Sequence, residues 1–286
     1  MDEHGAFVLH GPDRWTSAAV FSSPHSGRAY PDELRGRSRL DRLTLRASED
    51  AYLDLLFASA PAAGAPLIAA TAPRAFVDLN RGPEELDPAV VRDVRATGLN
   101  PRVAAGLGVI PRIVAEGKPI YNGKISLEEA RARIADFHTP YHAQLEQMMG
   151  AATDRFGHAL LFDCHSMPSD ALRAAARIKG RRPEIVLGDR FGTSASRDVM
   201  AGAIAAFDAA GFVVASNSPF AGGHITQRYG RPSQGWHAIQ IEIDRALYLD
   251  EATVTPGDGY DAFKAALTDV IASLADIGRV DAMAAE

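Results

Sequence analysis

Short apolar runs alternate along this chain with longer stretches of helical period, and this alternation narrows the choice of fold more than any other feature. The short runs are rich in Val, Ile, Leu and Phe, and most of them end at a Pro, Gly, Asn or Asp cluster, as strands do. The longer stretches are rich in Ala, Leu and Arg. Because this pattern is typical of α/β proteins, we predict a mixed, largely parallel central sheet with helices on both faces.

The same pattern gives approximate bounds for the elements. The predicted strands are Ala18–Ser23, Leu67–Thr71, Phe76–Asp78, Ala159–Cys164, Ile185–Gly188, Val213–Ser216 and Ala238–Asp244. The predicted helices are Leu43–Ala60, Leu127–Met149, Ser194–Ala210 and Tyr260–Leu274, with Thr44 and Ser194 as candidate N-caps of the first and the third. No repeat or low-complexity linker interrupts the chain, so we predict one domain over residues 1–286.

Composition excludes several classes of function. Lys and Arg total 30 against 36 Asp and Glu, and the net charge of −6 argues against a nucleic-acid or anionic-membrane partner. The single cysteine, Cys164, excludes an internal disulfide and a cysteine-based zinc cluster, so a bound metal must use His, Asp or Glu. The first twenty residues lack the pattern of a signal peptide, and no run of eighteen apolar residues occurs, so we expect a cytoplasmic protein.

Two histidines follow predicted strands directly. His25 lies in a Pro- and Gly-containing loop after the first strand, and His165 lies where the apolar run 159–162 turns polar. In open α/β sheets ligands bind beyond the carboxyl ends of the strands. Two histidines there and one nearby acid would provide three ligands of an open zinc site, with water in the fourth position. Glu49 and Asp50 are both candidates for that acid.

Cations and one further acid occupy comparable positions. Asn80 and Arg81 follow the predicted strand Phe76–Asp78, and the planar fork of an Arg suits a carboxylate. Arg74, seven residues before Arg81, is a second cation for the same cleft. In the last predicted strand three isoleucines alternate with Gln, Glu and Asp, which places Glu242 on the face opposite the isoleucines.

Two further motifs have weaker interpretations. His138 and His142 stand four residues apart, but they lack the Glu of an H-E-x-x-H motif and enclose Pro140. We interpret them as packing residues or as support for the site. The Gly-dense segment 220–232 precedes the Glu242 strand, and we interpret it as a loop that covers the cleft.

Four motifs in order resemble the N-formylglutamate amidohydrolases. They are Ser-Pro-His25-Ser-Gly, Asp78-Leu-Asn80-Arg81, Asp163-Cys-His165-Ser, and the run from Gly222 through Gly-Trp-His237 to Glu242. The likeness covers about residues 20 to 251 and includes Pro140-Tyr141-His142. The family is similar in turn to the zinc carboxypeptidases and aspartoacylase, so the resemblance implies a zinc-carboxypeptidase-like fold.

The resemblance also implies roles for particular residues. It implies one Zn²⁺ per chain on His25, Asp50 and His165, with Asp50 preferred to Glu49 because the pattern Asp50-Ala-Tyr52 is closer to that of the family. Three residues after His25 stands Arg28, where the distant relatives have an acid. The implied catalytic residues are Glu242, as general base, and Arg74, as stabiliser of the oxyanion. The implied substrate contacts are Asn80, Arg81, Arg112 and Tyr121.

The activity implied is hydrolysis of N-formylglutamate to glutamate and formate, in the family's case a step of histidine degradation. The expected partner is therefore a small N-acyl amino acid. Two alternatives stay open at this point. One is a metalloamidase or carboxypeptidase-like enzyme that acts on another N-acyl amino acid or small peptide. The other is a non-catalytic protein that binds dicarboxylates through its arginines.

Overall fold

The computed structural model describes residues 5–95, 100–114 and 117–279. The strands in these ranges are β1 (Phe7–His10), β2 (Ala19–Ser23), β3 (Leu67–Ala70), β4 (Ala159–Met167), β5 (Ile185–Gly188), β6 (Val214–Ser216), β7 (Trp236–Asp244), β8 (Leu249–Asp250) and β9 (Thr255–Pro256). The helices are α1 (Asp32–Arg37), α2 (Arg42–Arg46), α3 (Leu53–Leu56), α4 (Pro101–Ala104), α5 (Leu127–Arg133), α6 (Thr139–Phe156), α7 (Arg197–Ala209), α8 (His224–Tyr229) and α9 (Tyr260–Ile277).

A seven-stranded sheet in the order β1-β3-β2-β4-β7-β5-β6 forms the centre of the protein. Strands β3, β2, β4 and β7 run parallel to one another, and β5 runs parallel to β6. Strand β1 pairs with β3 and β5 pairs with β7 in the antiparallel sense. The predicted mixed, largely parallel sheet is confirmed.

Each face of this sheet is covered by helices. On one face, Phe207 of α7 and Ile271 of α9 share a buried cluster with Ile241 of β7. On the other face, Leu145 of α6 and Ile225 of α8 belong to a second buried cluster. The alternation read from β7 is therefore correct, and the polar residues of this strand lie on the face opposite α7 and α9. None of the helices in the described ranges is both long and apolar enough to cross a membrane.

Two predicted elements are wrong. The predicted helix Leu43–Ala60 is divided into α2 and α3, because Tyr52 has a positive φ of 63° and Asp50 N donates to the carbonyl of His25 at 3.0 Å. The predicted strand Phe76–Asp78 is a turn followed by a loop, in which Asp78 N bonds to Val109 O at 2.8 Å. Both errors arise from long-range contacts that local patterns do not encode.

Smaller differences concern the ends of elements. Asp41 and Ser196 cap α2 and α7, in place of the predicted Thr44 and Ser194. The predicted helix Leu127–Met149 extends to Phe156 and contains a π-helical turn at Ile134–His138, which precedes Pro140 in the first turn of α6. The π-helical turn accommodates Pro140, which the interior of a regular α-helix would exclude. Strand β1 was not predicted.

Candidate active site

The carboxyl ends of β2, β4 and β7 bring the predicted site together. Register pairs Ser22 of β2 with Asp163 of β4, and His165 of β4 with Glu242 of β7. The loop after β2 carries His25 and lies directly against the segment that follows β3, since a Cβ on Gly27 would stand 2.1 Å from the carbonyl oxygen of Ala72. This close approach requires glycine at position 27.

His25, Asp50 and His165 form a buried group. Asp50 Oδ2 lies 3.0 Å from His165 Nδ1 and 3.4 Å from His25 Nδ1, and the two imidazole centroids are 4.8 Å apart. Each of the three residues is at most 3% exposed. Two imidazole nitrogens and one carboxylate oxygen therefore converge on a single point.

Two further carboxylates orient the imidazole rings. His25 Nε2 lies 2.7 Å from Asp78 Oδ1, and His165 Nε2 lies 2.9 Å from Asp163 Oδ2. Histidines that bind a metal through one nitrogen usually donate the other N–H to a carboxylate or carbonyl, which fixes the tautomer and the ring orientation. Both rings meet this condition and leave Nδ1 for a ligand.

Asp50 is held by its second oxygen. Oδ1 accepts from Ser166 Oγ at 3.0 Å and from Arg245 Nη2 at 3.3 Å. Glu49 faces elsewhere, because its carboxylate accepts from Tyr30 Oη at 2.5 Å and from Arg46 Nε at 3.1 Å. Of the two acids left open by the sequence, only Asp50 joins the two histidines in the described structure.

This group fits a divalent metal ion. His25 Nδ1 is buried and has no hydrogen-bond partner among the described residues. Burial opposes the charge of Asp50, but His165 and His25 hold the pKa of its carboxyl well below the ordinary range, so a carboxylate faces the two rings. A donor set of two nitrogens and one oxygen, with a fourth position open, is that of catalytic zinc sites. His25, Asp50 and His165 could therefore bind a metal ion.

Glu242 stands beside this group. Its side chain lines the same cavity as His25 and His165, and its Oε1 accepts from Gln240 Nε2 at 2.7 Å. Burial raises the pKa of Glu242 to about 7, and the negative charge of Asp50 acts in the same direction. A carboxyl group with a pKa near 7 is suited to accept and return a proton at neutral pH.

The cavity has a volume of about 530 Å³, within the usual range for small-molecule sites. Four arginines line it: Arg74, Arg81, Arg102 and Arg245. Residues 219–223, from the predicted covering loop, form part of its wall, whereas residues 224–229 of that loop form α8. The cavity combines a candidate metal group with a cationic lining, which suits an anionic substrate.

Arg74, Asn80 and Arg81 all line the cavity. Arg74 Nε donates to Asp78 Oδ2 at 3.0 Å, and about a quarter of its side chain is exposed to the cavity side. Arg81 Nε and Nη1 donate to the carbonyls of Leu107 and Asn80. The amide of Asn80 is fully engaged, with Nδ2 3.3 Å from Asp163 Oδ2 and Oδ1 2.8 Å from Ile225 N.

The structure does not bring Arg112 and Tyr121 to the cavity wall formed by the described residues. Arg112 Nε donates to Asp87 Oδ2 at 2.8 Å. The hydroxyl of Tyr121 accepts from Arg133 Nη1 at 2.7 Å and lies within a hydrophobic cluster. The described structure thus places both predicted substrate contacts on these partners and outside the described cavity wall.

Sequence reasoning assigned no role to several residues of the site. Asp163 stands two positions before His165, and residues i and i+2 of a strand share a face, so this partner could have been found. Asp78, Arg102 and Arg245 offered no comparable signal, because their contacts with the site cross 53, 120 and 195 residues of chain.

Known proteins are similar to this chain over most of its length. The profile of a family described as N-formylglutamate amidohydrolase matches residues 17–249. An N-formylglutamate deformylase of Pseudomonas aeruginosa is 32% identical over 266 residues, which cover 91% of this chain and 93% of that protein. One from Pseudomonas putida is 29% identical, with 81% of this chain and 82% of that protein covered.

Solved structures show the same fold. A crystal structure of an N-formylglutamate amidohydrolase from Ralstonia eutropha superimposes with a TM-score of 0.89 at 32% identity, covering 96% of this chain and 99% of that one. The structure of a gene product from Agrobacterium tumefaciens, 17% identical, gives a TM-score of 0.64 with 96% and 97% covered. The second likeness concerns the fold alone.

Proposed function

The chain belongs to the N-formylglutamate amidohydrolase family, and from this premise we propose that it hydrolyses N-formylglutamate to glutamate and formate. One observation carries the proposal: the buried group His25, Asp50 and His165 faces the same cationic cavity as a carboxyl group with a pKa of about 7, Glu242. A dicarboxylate that bears an amide fits the charge of such a cavity. The Pseudomonas and Ralstonia relatives, named for this substrate, support the choice.

His25, Asp50 and His165 would hold one zinc ion. Bound there, zinc would supply Lewis acidity, which brings the pKa of water toward neutrality. Asp78 and Asp163 keep the two rings in the tautomer that presents Nδ1, and Ser166 and Arg245 keep Asp50 turned toward them. These residues pre-organise the site, so little rearrangement is needed at the moment of reaction.

Glu242 provides the proton transfers. Its carboxylate takes a proton from the attacking water and delivers it to the departing amide nitrogen, which leaves poorly as an anion. The hydrogen bond from Gln240 holds Oε1, so the other oxygen, Oε2, is available for the proton. Burial at 7% exposure keeps bulk water from competing with these transfers.

Arginines bind the charges of the substrate. Arg74, fixed through Nε by Asp78, presents its remaining N–H groups to the oxyanion that develops on the formyl carbonyl. Arg81, held through Nε and Nη1, keeps Nη2 for a substrate carboxylate. Arg102 lines the same cavity and is the cation for the second carboxylate. Asn80 acts as a positioning residue, because it holds Asp163 and the start of α8.

Release of formate by the purified protein tests the proposal. We expect turnover of N-formylglutamate, a loss of about 100-fold or more on treatment with a chelator, and recovery with zinc. N-acetylglutamate and N-formylglutamine serve as matched substrates that change only the acyl group or only the side-chain carboxylate. Preference for either of these over N-formylglutamate would contradict the assigned substrate. Binding of glutamate without any hydrolysis would point to the non-catalytic alternative.

Arg81→Lys is expected to raise KM for N-formylglutamate by about 10- to 100-fold, with a smaller effect on kcat. A lysine keeps the charge, but it cannot donate to the carbonyls of Leu107 and Asn80 while it also contacts the substrate carboxylate. Steady-state kinetics measure the change, with Arg112→Lys as the matched control, since Arg112 does not line the described cavity wall. A larger increase in KM for Arg112→Lys than for Arg81→Lys would show that Arg112, and not Arg81, contacts the substrate carboxylate.

A further inference from the structure

A second group of three histidines lies outside the proposed catalytic residues. His138 and His142 stand one helical turn apart at the start of α6, and His224 is the first residue of α8. The ring centroids of His138 and His142 are 4.3 Å apart, and that of His224 is 6.2 and 5.5 Å from them. One nitrogen from each ring can be chosen so that all three atoms lie within 4.8 Å of one another.

The hydrogen bonds of His138 and His142 engage one nitrogen of each ring. His138 Nε2 donates to the carbonyl of Arg81 at 2.8 Å, and His142 Nε2 donates to that of Leu79 at 2.8 Å. Each ring therefore keeps Nδ1 as an acceptor, the arrangement already seen at His25 and His165. His224 Nε2 is buried without a partner in the described structure.

One neighbour competes for a lone pair. The hydroxyl of Tyr229 lies 3.0 Å from both the Nδ1 and the carbonyl oxygen of His142. It carries one proton, and when it donates this proton to the carbonyl the Nδ1 lone pair stays available. The group then offers an ion one nitrogen from each ring.

The charges around the group also suit a cation. The negative charges of Asp78, Glu84 and Glu85 favour a positive charge at His224. The charge of Arg228 opposes a cation, but its guanidinium is paired with Glu146 at 3.1 Å.

We propose that His138, His142 and His224 bind a second divalent metal ion of the zinc class, separate from the ion on His25, Asp50 and His165. Three neutral imidazoles favour zinc and its neighbours over magnesium or calcium. The ion would join α6 to the segment 219–223, which lines the cavity and directly precedes His224. Through His138 and His142 it would also fix the turn that carries Arg81, so its role is structural.

Zinc content tests this proposal independently of activity. After saturation with zinc and removal of excess, mass spectrometry of the metal is expected to give two equivalents in the wild type, one in His165→Ala, one in His224→Ala and none in the double variant. His224→Cys should restore the second equivalent, because a thiolate is also a zinc ligand. His10→Ala, at an exposed position of β1, is the control and should keep two.

Thermal unfolding gives a second readout. Zinc is expected to raise the Tm of His165→Ala and to leave that of the double variant unchanged, because only the first retains a metal site. One equivalent in the zinc-saturated wild type, or two in His224→Ala, would overturn the proposal. If His224→Ala fails to fold, the wild-type content and the His165→Ala titration still decide the question. Inactivity towards N-formylglutamate with two bound equivalents would refute the proposed function alone.

Discussion

Glu242→Gln is expected to keep the zinc content of the wild type and to lose about 10²- to 10⁴-fold in kcat for formate release. Glutamine has the same shape as glutamate, and Glu242 is outside the group of candidate metal ligands, so metal binding should be unaffected. The amide cannot accept the proton from water or return it to the leaving nitrogen. Both transfers fail at once, which is why this single substitution has one of the largest expected effects.

Asp244→Asn is the matched control for this prediction. Asp244 lies two residues further along β7, it is buried to a similar degree, and it pairs with Arg182 at 3.1 Å away from the cavity. The control tests whether loss of any buried carboxylate on this strand reduces turnover. We expect kcat within a few-fold of the wild type for Asp244→Asn. Retention of more than a tenth of kcat by Glu242→Gln would exclude Glu242 as the general base.

The predicted site residues that follow from local sequence patterns belong to regular strands, and the structure brings them to one cavity. His165 and Glu242 were found because strands end where polar residues begin and because alternation assigns a face. The structure adds that these two residues are directly paired across β4 and β7. The alternation of side chains along a strand is a local property of the chain. This part of the site can therefore be predicted without knowledge of the tertiary structure.

The differences between the sequence-based expectations and the structure depend on contacts between loops. The break before α3 exists because Asp50 N bonds to the loop of His25, and a helix prediction from composition cannot include that bond. For the same reason the sequence left Glu49 and Asp50 open. The family resemblance implies a substrate contact for Arg112, but its guanidinium meets Asp87, a partner 25 residues away. Residue chemistry identifies candidates, whereas loop packing decides which of them reach the cavity.

Asp50→Asn is expected to weaken zinc binding at the catalytic group by more than about 100-fold, because losing even an outer partner of a metal ligand costs 10- to 100-fold. Asparagine keeps the size of the side chain and an oxygen that can accept from Ser166 and Arg245. It removes the negative charge that faces the two imidazole rings. Zinc affinity measured by competition with a chromophoric chelator should fall, and formate release at limiting zinc should fall with it.

Glu49→Gln is the matched control for Asp50→Asn. Both substitutions remove one buried negative charge at adjacent positions and preserve shape, but Glu49 contacts Tyr30 and Arg46 and not the histidines. Glu49→Gln should therefore keep zinc affinity and kcat near wild-type values, with any cost limited to thermal stability. Since general effects of charge and folding act on both variants, a difference between them isolates ligation. Equal losses of zinc affinity in the two variants would show that Glu49 and Asp50 attract the metal ion only through their negative charge. Asp50 would then not be a ligand.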